Sequence, residues 1–313
     1  MKRAVLGFAA GAALAVGLTA FAQSWVPSKW GAADEIGAAN YLTPAKALEA
    51  TRLVRSGKVY SLGITVGADT PAYPPRTCSI YIVQPGQTGS AKGLGGTNTT
   101  YNDDILNCWN GIGTQLDGLG HIGVGDTYYN GNKWGEIAQM GGLKKLGVDK
   151  VPPMATRGVL LDMAALYGTD VVKEGTAFNR KEIDEAARRQ GVEIRQGDVV
   201  IFHTGWLSLI KSDPKRFGSV EPGVGREGAR YLVSKGVVAV GADTWAVEAI
   251  PFEQGAGVFE VHQILLTQNG TYILENINTA ELAKDRAWEF LFVLGQNKYE
   301  GAVQSMINPV AIR

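Results

Sequence analysis

The fold turns on the stretch Asp198-Val199-Val200-Ile201-Phe202-His203-Thr204-Gly205-Trp206 and on the forty residues after it. Asp198 to Phe202 is a short apolar, β-branched run, which predicts a buried strand. The strand delivers His203-Thr204-Gly205-Trp206 at its C-terminal end. A helix is predicted over Arg226 to Lys235, then a second strand over Val237 to Val240, ending in Gly241-Ala242-Asp243-Thr244-Trp245. Strand and helix in alternation predict an α/β layer with parallel pairing. Polar groups just past strand ends are where such sheets carry their sites.

Working outward, Gly158 to Met163 is a third buried-type strand, with Asp162 near its end. Asn179 opens a helix with Glu182 three residues on, a capping-box pattern. Its apolar stripe is Ile183, Ala186 and Ala187, and Gly191 closes it. Downstream, Phe259 to Leu266 is a short helix carrying His262. Gln268-Asn269-Gly270 is a turn, and Thr271 to Leu274 is a strand leading into Glu275-Asn276. Glu289 to Leu294 is a last strand, and the tail is expected to be irregular.

Toward the N-terminus, Thr43 caps a helix with Pro44 at its first position, running to about Val54. Strands are expected over Val59 to Val66 and Ser79 to Val83, separated by the rigid turn Pro71 to Arg76. Gly86 to Asn102 is polar and long for a connection, either a lid or a surface loop. Tyr128, Tyr129 and Trp134 either cover a substrate or pack in the core. Trp30 is either a pocket wall or the anchor of an N-terminal arm, and the anchor is favoured because buried aromatics usually pack.

The chain has 313 residues, 45% hydrophobic and 19% charged, with zero formal net charge, so it has ample core for one large domain or two ordinary ones. Without a basic excess, a nucleic-acid partner is excluded on electrostatic grounds. Lys2 and Arg3, an apolar run and Ala20-Phe21-Ala22 have the pattern of a secretory signal peptide. Cleavage after Ala22 would give a mature protein from Gln23 to Arg313, periplasmic or secreted and free of the membrane. In that oxidising setting Cys78 and Cys108 are free to pair; alternatively, Cys108 is a buried thiol beside the site.

The chemistry-bearing stretch is Cys108-Trp109-Asn110-Gly111-Ile112-Gly113-Thr114-Gln115-Leu116-Asp117-Gly118-Leu119-Gly120-His121. It mixes glycines, which let backbone approach a ligand, with a carboxylate, an amide and one of only three histidines in the chain. Taken with His262 and Glu275-Asn276, these residues resemble the metal-dependent cyclase family, whose best-known activity is bacterial kynurenine formamidase, an enzyme of tryptophan catabolism. The family motif is His-x-Gly-Thr-His-x-Asp-x-x-x-His. This chain matches its Gly-Thr, Asp and last His at Gly113-Thr114, Asp117 and His121, but has Gly111 and Gln115 where the motif has its first two histidines.

The resemblance implies a swivelling β/β/α fold with a mixed central sheet or partial barrel, one catalytic domain after the leader, and a homo-oligomer. It implies Asp117, His262 and Glu275 as metal ligands and His121 as proton donor and acceptor, with the second metal position weakened or lost. Gln115 would add an amide oxygen. One imidazole among carboxylates suits one Mn2+ at least as well as Zn2+. His203 is a second acid, an oxyanion holder or a structural histidine at a strand end, Thr114 and Asn276 orient the ligands, and Trp30, Tyr73, Trp206 and Asp243 are candidate substrate contacts, Asp243 alternatively a helix cap. The expected activity is hydrolysis of a carbon–nitrogen bond, in an aryl formamide or cyclic amide, with His121 as general base. Two alternatives are a cyclase, lyase or dehydratase using the same metal, and a small-molecule binding protein.

Overall fold

A computed structural model describes residues 24–83 and 93–313. The expected signal peptide and the first part of the Gly86–Asn102 loop lie outside the described residues.

The strands that position the site are β1 (Val59–Ser61), β2 (Cys78–Val83), β3 (Asp103–Cys108), β4 (Gln115–Asp117), β5 (Met154–Asp162), β6 (Val199–His203), β7 (Ala239–Ala242), β8 (Tyr272–Glu275), β9 (Glu289–Leu294), β10 (Gln304–Met306) and β11 (Val310–Ile312). Nine of them form one mixed sheet in the order β1-β11-β9-β5-β6-β7-β8-β4-β10, curled into a half-barrel. The four central strands β5, β6, β7 and β8 run parallel. Both flanks are antiparallel. β6 and β7 are buried along almost their whole length, which is why they read as continuous apolar runs rather than as alternation.

Helices α1 (Pro44–Thr51), α2 (Arg180–Gln190) and α3 (Arg226–Lys235) cover the sheet. The Thr43 side chain accepts from the Lys46 amide, capping α1. Glu182 reaches back to the Asn179 amide at 3.1 Å, and Gly191 ends α2 in the left-handed conformation, as its sequence predicts. Ile183, Ala186 and Ala187 on α2 and Ala229 and Leu232 on α3 join a hydrophobic cluster with the strands. Arg157, on β5, is nearly buried. It grips Asp198 with two hydrogen bonds of 3.0 and 2.6 Å and Glu289 with one of 2.6 Å, tying three strands' ends together.

The C-terminal region departs from expectation. Instead of being irregular, it supplies β10 at one edge of the sheet and β11 near the other. Three-residue strands bring too few alternations to stand out in a sequence. Between them the chain passes both edges: Ile307 donates to the Thr114 carbonyl, while Leu62 donates to that of Pro309. Asn308 Oδ1 also lies 3.1 Å from the Gly63 amide that donates to it. The amides of Gly63 and Ile64 thus go to side chains, Asn308 Oδ1 and Thr114 Oγ1, instead of to a neighbouring strand, and β1 ends at Ser61 rather than running to Val66. The short helix Glu260–His262 continues as a π-helix over Gln263–Gln268. β2 and β3 form a separate hairpin in which Cys78 lies opposite Cys108, and the two are joined by a disulfide.

Candidate active site

The site is assembled on β4, whose residues are all buried although two of the three are polar. Gly113 enters the strand at φ +68°, and a Cβ there would lie 2.3 Å from Val66 Cγ2. Only glycine fits that approach. Thr114 Oγ1 donates to the Asn276 carbonyl at 2.6 Å and accepts from Ile64. Asn276 Nδ2 donates to the Gly113 carbonyl at 2.9 Å. The pair therefore clamps the start of β4 to the end of β8. Alternation along a strand puts Gln115 and Asp117 on one face. Glu275 is the cross-strand partner of Gln115, and Gln304 on β10 is that of Asp117. Four polar side chains thus share one buried surface, because pairing partners face the same way.

His262 approaches this surface from its short helix. Its Nε2 lies 3.2 Å from Glu275 Oε1 and 3.8 Å from Asp117 Oδ2. Its Nδ1 is 2.6 Å from Glu248 Oε1, and the same carboxylate oxygen accepts from the His262 amide. A carboxylate at Nδ1 keeps a proton on that nitrogen, so that Nε2, which points toward Asp117 and Glu275, is the nitrogen left to bind a metal, the usual support of a ligating imidazole. The ligand atoms of Asp117, His262 and Glu275 lie within 4.8 Å of one another, and all three residues are buried.

The electrostatics show what this cluster lacks. Burial, then repulsion from Asp117, pushes the Glu275 carboxyl up to about 7. Burial alone would pull His262 down, but hydrogen bonds to Glu248 and Glu275 carry it up to about 10. Burial and Glu275 hold Glu221 well above the carboxylate range, while its carboxyl accepts from the Trp245 and Ala246 amides. Asp117 Oδ2, which faces both His262 and His121, is buried without a hydrogen-bond partner. An orphaned carboxylate oxygen among crowded acids is costly unless a cation is taken up. One imidazole nitrogen and two carboxylates are a donor set for a divalent ion with open positions for water and substrate. The residues fit the metal that the resemblance implies.

His121 follows Asp117 by one turn, with Nε2 3.8 Å from Asp117 Oδ2. Burial lowers its pKa below 6.5, against the pull of Asp117, so its imidazole is neutral at pH 7 and able to accept a proton. Beside it opens a cavity of about 250 Å³, bounded by Tyr73, Arg76, Trp245 and Phe259 as well as the triad. Tyr73 stacks on Trp245 at 5.8 Å between ring centroids, and Phe259 meets His262 edge-on at 5.3 Å. Tyr73, Trp245 and Phe259 make an aromatic wall suited to a flat ring, facing the charged groups of the triad and Arg76.

The other expected site residues are placed differently. Gln115 turns its nitrogen, not its oxygen, to the acids: Nε2 is 2.6 Å from Glu275 Oε2 and 3.4 Å from Asp117 Oδ1. It acts as a donor to the ligands, and carboxylates that need donors are the reason. His203 lies on β6, two strands from β8 and so roughly 10 Å away. It lines a different cavity with Asp243, Thr279 and Ser208, and its Nδ1 is 2.7 Å from Thr279 Oγ1. Asp243 is consumed by the backbone, accepting from the Thr204 and Gly205 amides at 2.9 and 2.8 Å. Trp206 is fully buried and donates to the Phe217 carbonyl, a core residue rather than a substrate contact. Trp30 packs edge-on against Tyr41 in the arm, away from the site cavity. Tyr73 alone of the four expected substrate contacts lines that cavity. Glu248, Gln304, Arg76, Trp245 and Phe259 belong to the site without having been expected there. Two sequence signals point to any of them: the Pro-rich turn before Arg76 and the strand-end corner that closes with Trp245.

A family model described as "Putative cyclase" matches residues 60–249. A crystal structure of a novel cyclase is 29% identical, covers 92% of this chain and 99% of its own, and superposes with a TM-score of 0.82. Isatin hydrolase A from Labrenzia aggregata, bound to benzyl benzoate, is 17% identical over 84% of this chain and 94% of its own, with a TM-score of 0.59. Isatin hydrolase A from Ralstonia solanacearum is 19% identical over 87% of this chain and 98% of its own, with a TM-score of 0.60. No curated protein matches the chain.

Proposed function

Since the chain belongs to the cyclase family, we propose that it is a metal-dependent hydrolase of a carbon–nitrogen bond, in an aryl formamide or a cyclic amide. The observation that carries this is the buried Asp117–His262–Glu275 triad with the unpartnered Asp117 oxygen, opening on an aromatic cavity. Isatin, named for two of the similar folds, is itself a flat cyclic amide, which supports the substrate class.

Asp117, His262 and Glu275 would hold one Mn2+ or Zn2+. When bound, the ion would polarise the substrate carbonyl and make water more acidic. Glu248 keeps His262 in the ligating tautomer. Gln115 and Gln304, the latter at 2.6 Å from Asp117 Oδ1, fix the carboxylates from behind. Tyr73, Trp245 and Phe259 flank the ring and exclude water. His121 takes a proton from the attacking water at Nε2 and returns it to the departing nitrogen. The protein is exported in this proposal, supported by the Cys78–Cys108 disulfide. Among the described residues no helix is long and apolar enough to cross a membrane. A homo-oligomer is supported by the half-exposed Ile80, Tyr81, Ile105 and Leu106 of the β2–β3 hairpin; a monomer by sedimentation velocity would sink that part.

The deciding experiment combines elemental analysis of wild type and Asp117→Ala with turnover of N-formylaniline and isatin in ¹⁸O-water. The expected result is about one ion per chain, lost in the variant, and label in the acid product. Metal-dependent turnover without label would mean a lyase or cyclase. No metal uptake at all would mean a binding protein.

A further inference from the structure

The four oxygens of Asp117 and Glu275 divide into two sets. Asp117 Oδ2 and Glu275 Oε1 face His262 Nε2. Asp117 Oδ1 and Glu275 Oε2 face the other way and receive N–H groups, from Gln304 at 2.6 Å and Gln115 at 2.6 Å respectively. A carboxylate pair of this kind has enough lone pairs to bridge two cations, but here the outer set is occupied by amide donors.

Beyond those amides lies Arg76. Its Nη1 donates to the Gly111 carbonyl at 2.8 Å. A Cβ on Gly111 would meet Arg76 Nη1 at 2.7 Å, Arg76 Cζ at 2.8 Å and Gln304 Oε1 at 2.7 Å. The guanidinium and Gln304 therefore fill the space a side chain at position 111 would take, and only glycine leaves room for them. Arg76 also lines the cavity that holds Asp117, His121 and Glu275.

Charge balance gives this arrangement a meaning. Asp117, Glu275 and Glu248, the carboxylates in contact with His262, bring three negative charges. One divalent ion and one guanidinium cancel them. A second divalent ion would leave an excess of positive charge in a buried site, which is strongly unfavourable. We propose that Arg76 is the built-in second cation of this centre, a fixed charge that limits it to a single divalent ion. A guanidinium suits the role because it stays charged at any working pH and sheds water more readily than an ammonium.

The inference rests on the metal-dependent reading above, and calorimetry separates the two. Mn2+ is titrated into the metal-stripped full chain, as wild type, Arg76→Gln and Arg76→Lys, with ions per chain counted by elemental analysis. Glutamine removes the charge while leaving a polar side chain, so the variant is expected to bind Mn2+ about tenfold more tightly, a neighbouring positive charge being gone. Arg76→Lys keeps the charge and should stay within about threefold of wild type. Wild type should hold one ion. A merely structural arginine would give the opposite sign, because loosening the site weakens binding. Weaker or unchanged Mn2+ affinity in Arg76→Gln overturns the inference, as does Lys behaving like Gln, or two ions in wild type. Wild type that takes up neither Mn2+ nor Zn2+ overturns the metal-dependent function and this inference with it.

Discussion

Loading the centre with a divalent ion should eject a proton from His262, so that affinity climbs with pH. In the metal-free protein the carboxylates carry His262 up to about 10. At pH 7 its Nε2 therefore holds a proton that a ligand nitrogen cannot keep. Displacing it spans the gap from pH 7 to about 10, which at 1.36 kcal/mol per unit is about 4 kcal/mol set against binding. The dissociation constant should fall about tenfold per pH unit from 7 upward and level off near 10. Below 7 the slope should steepen, because Glu275, raised to about 7, then takes up a second proton. The sign for stability is opposite. A raised imidazole stabilises the metal-free fold fully below 6.5, and that contribution is lost as pH rises through about 10. The metal-free melting temperature should therefore drop between pH 7 and 10 while that of the loaded protein holds. Mn2+ calorimetry at pH 8 in two buffers of different ionisation enthalpy counts the released protons directly. Glu248→Gln should shift the levelling-off point to lower pH and weaken binding at pH 9 by about 10- to 100-fold. No proton release, together with a dissociation constant that is flat from pH 7 to 9, would refute the argument.

Three other outcomes are expected. His121→Ala should keep its metal but lose about 10²- to 10⁴-fold in turnover. In wild type the acid limb of kcat/KM should turn over below 6.5, since burial lowers the imidazole; a variant rate within tenfold of wild type would remove His121 as the base. Arg157→Met leaves Asp198 buried without its partner and should cost about 3–5 kcal/mol in urea unfolding, with a loss under 1 kcal/mol arguing that the ion pair is idle. Replacing Cys78 and Cys108 by serine opens a loop with a sequence separation of 30 and should cost up to about 3–4 kcal/mol; an unshifted urea midpoint would show the bond is dispensable.

The parts of the fold legible in sequence are those where one local rule dominates. β6, β9, α2 and α3 fall within a residue of their expected bounds at most ends, because buried apolar runs and capping residues are read over a few positions. β4 does not read as a strand: Gln115 and Asp117 are polar, and tertiary demand for ligands overrides propensity there. The metal triad is visible only through a resemblance, since Asp117, His262 and Glu275 are far apart in the chain. Glu248 is invisible, because its value comes from a loop folding back on His262. Arg76 stands in a recognisable turn yet shows no link to Gly111, because a missing side chain does not announce what occupies its space. His203 and Trp206 mislead for a different reason: both follow a strand end, where such sheets carry their sites, but β6 lies two strands from β8, so His203 opens on another cavity and Trp206 packs into the core.

The contact between Gln304 and Asp117 joins residues 187 apart in sequence. At ribosomal speeds of about 5–20 residues per second, the partner of Asp117 Oδ1 is made roughly 10–40 s after Asp117 itself. During that interval the nascent chain carries an acidic strand with no neighbour on its outer side. The ion-binding centre thus waits on a residue delivered 187 positions after Asp117. A chain released before Gln304 would carry every metal ligand and still lack the brace that aims one of them.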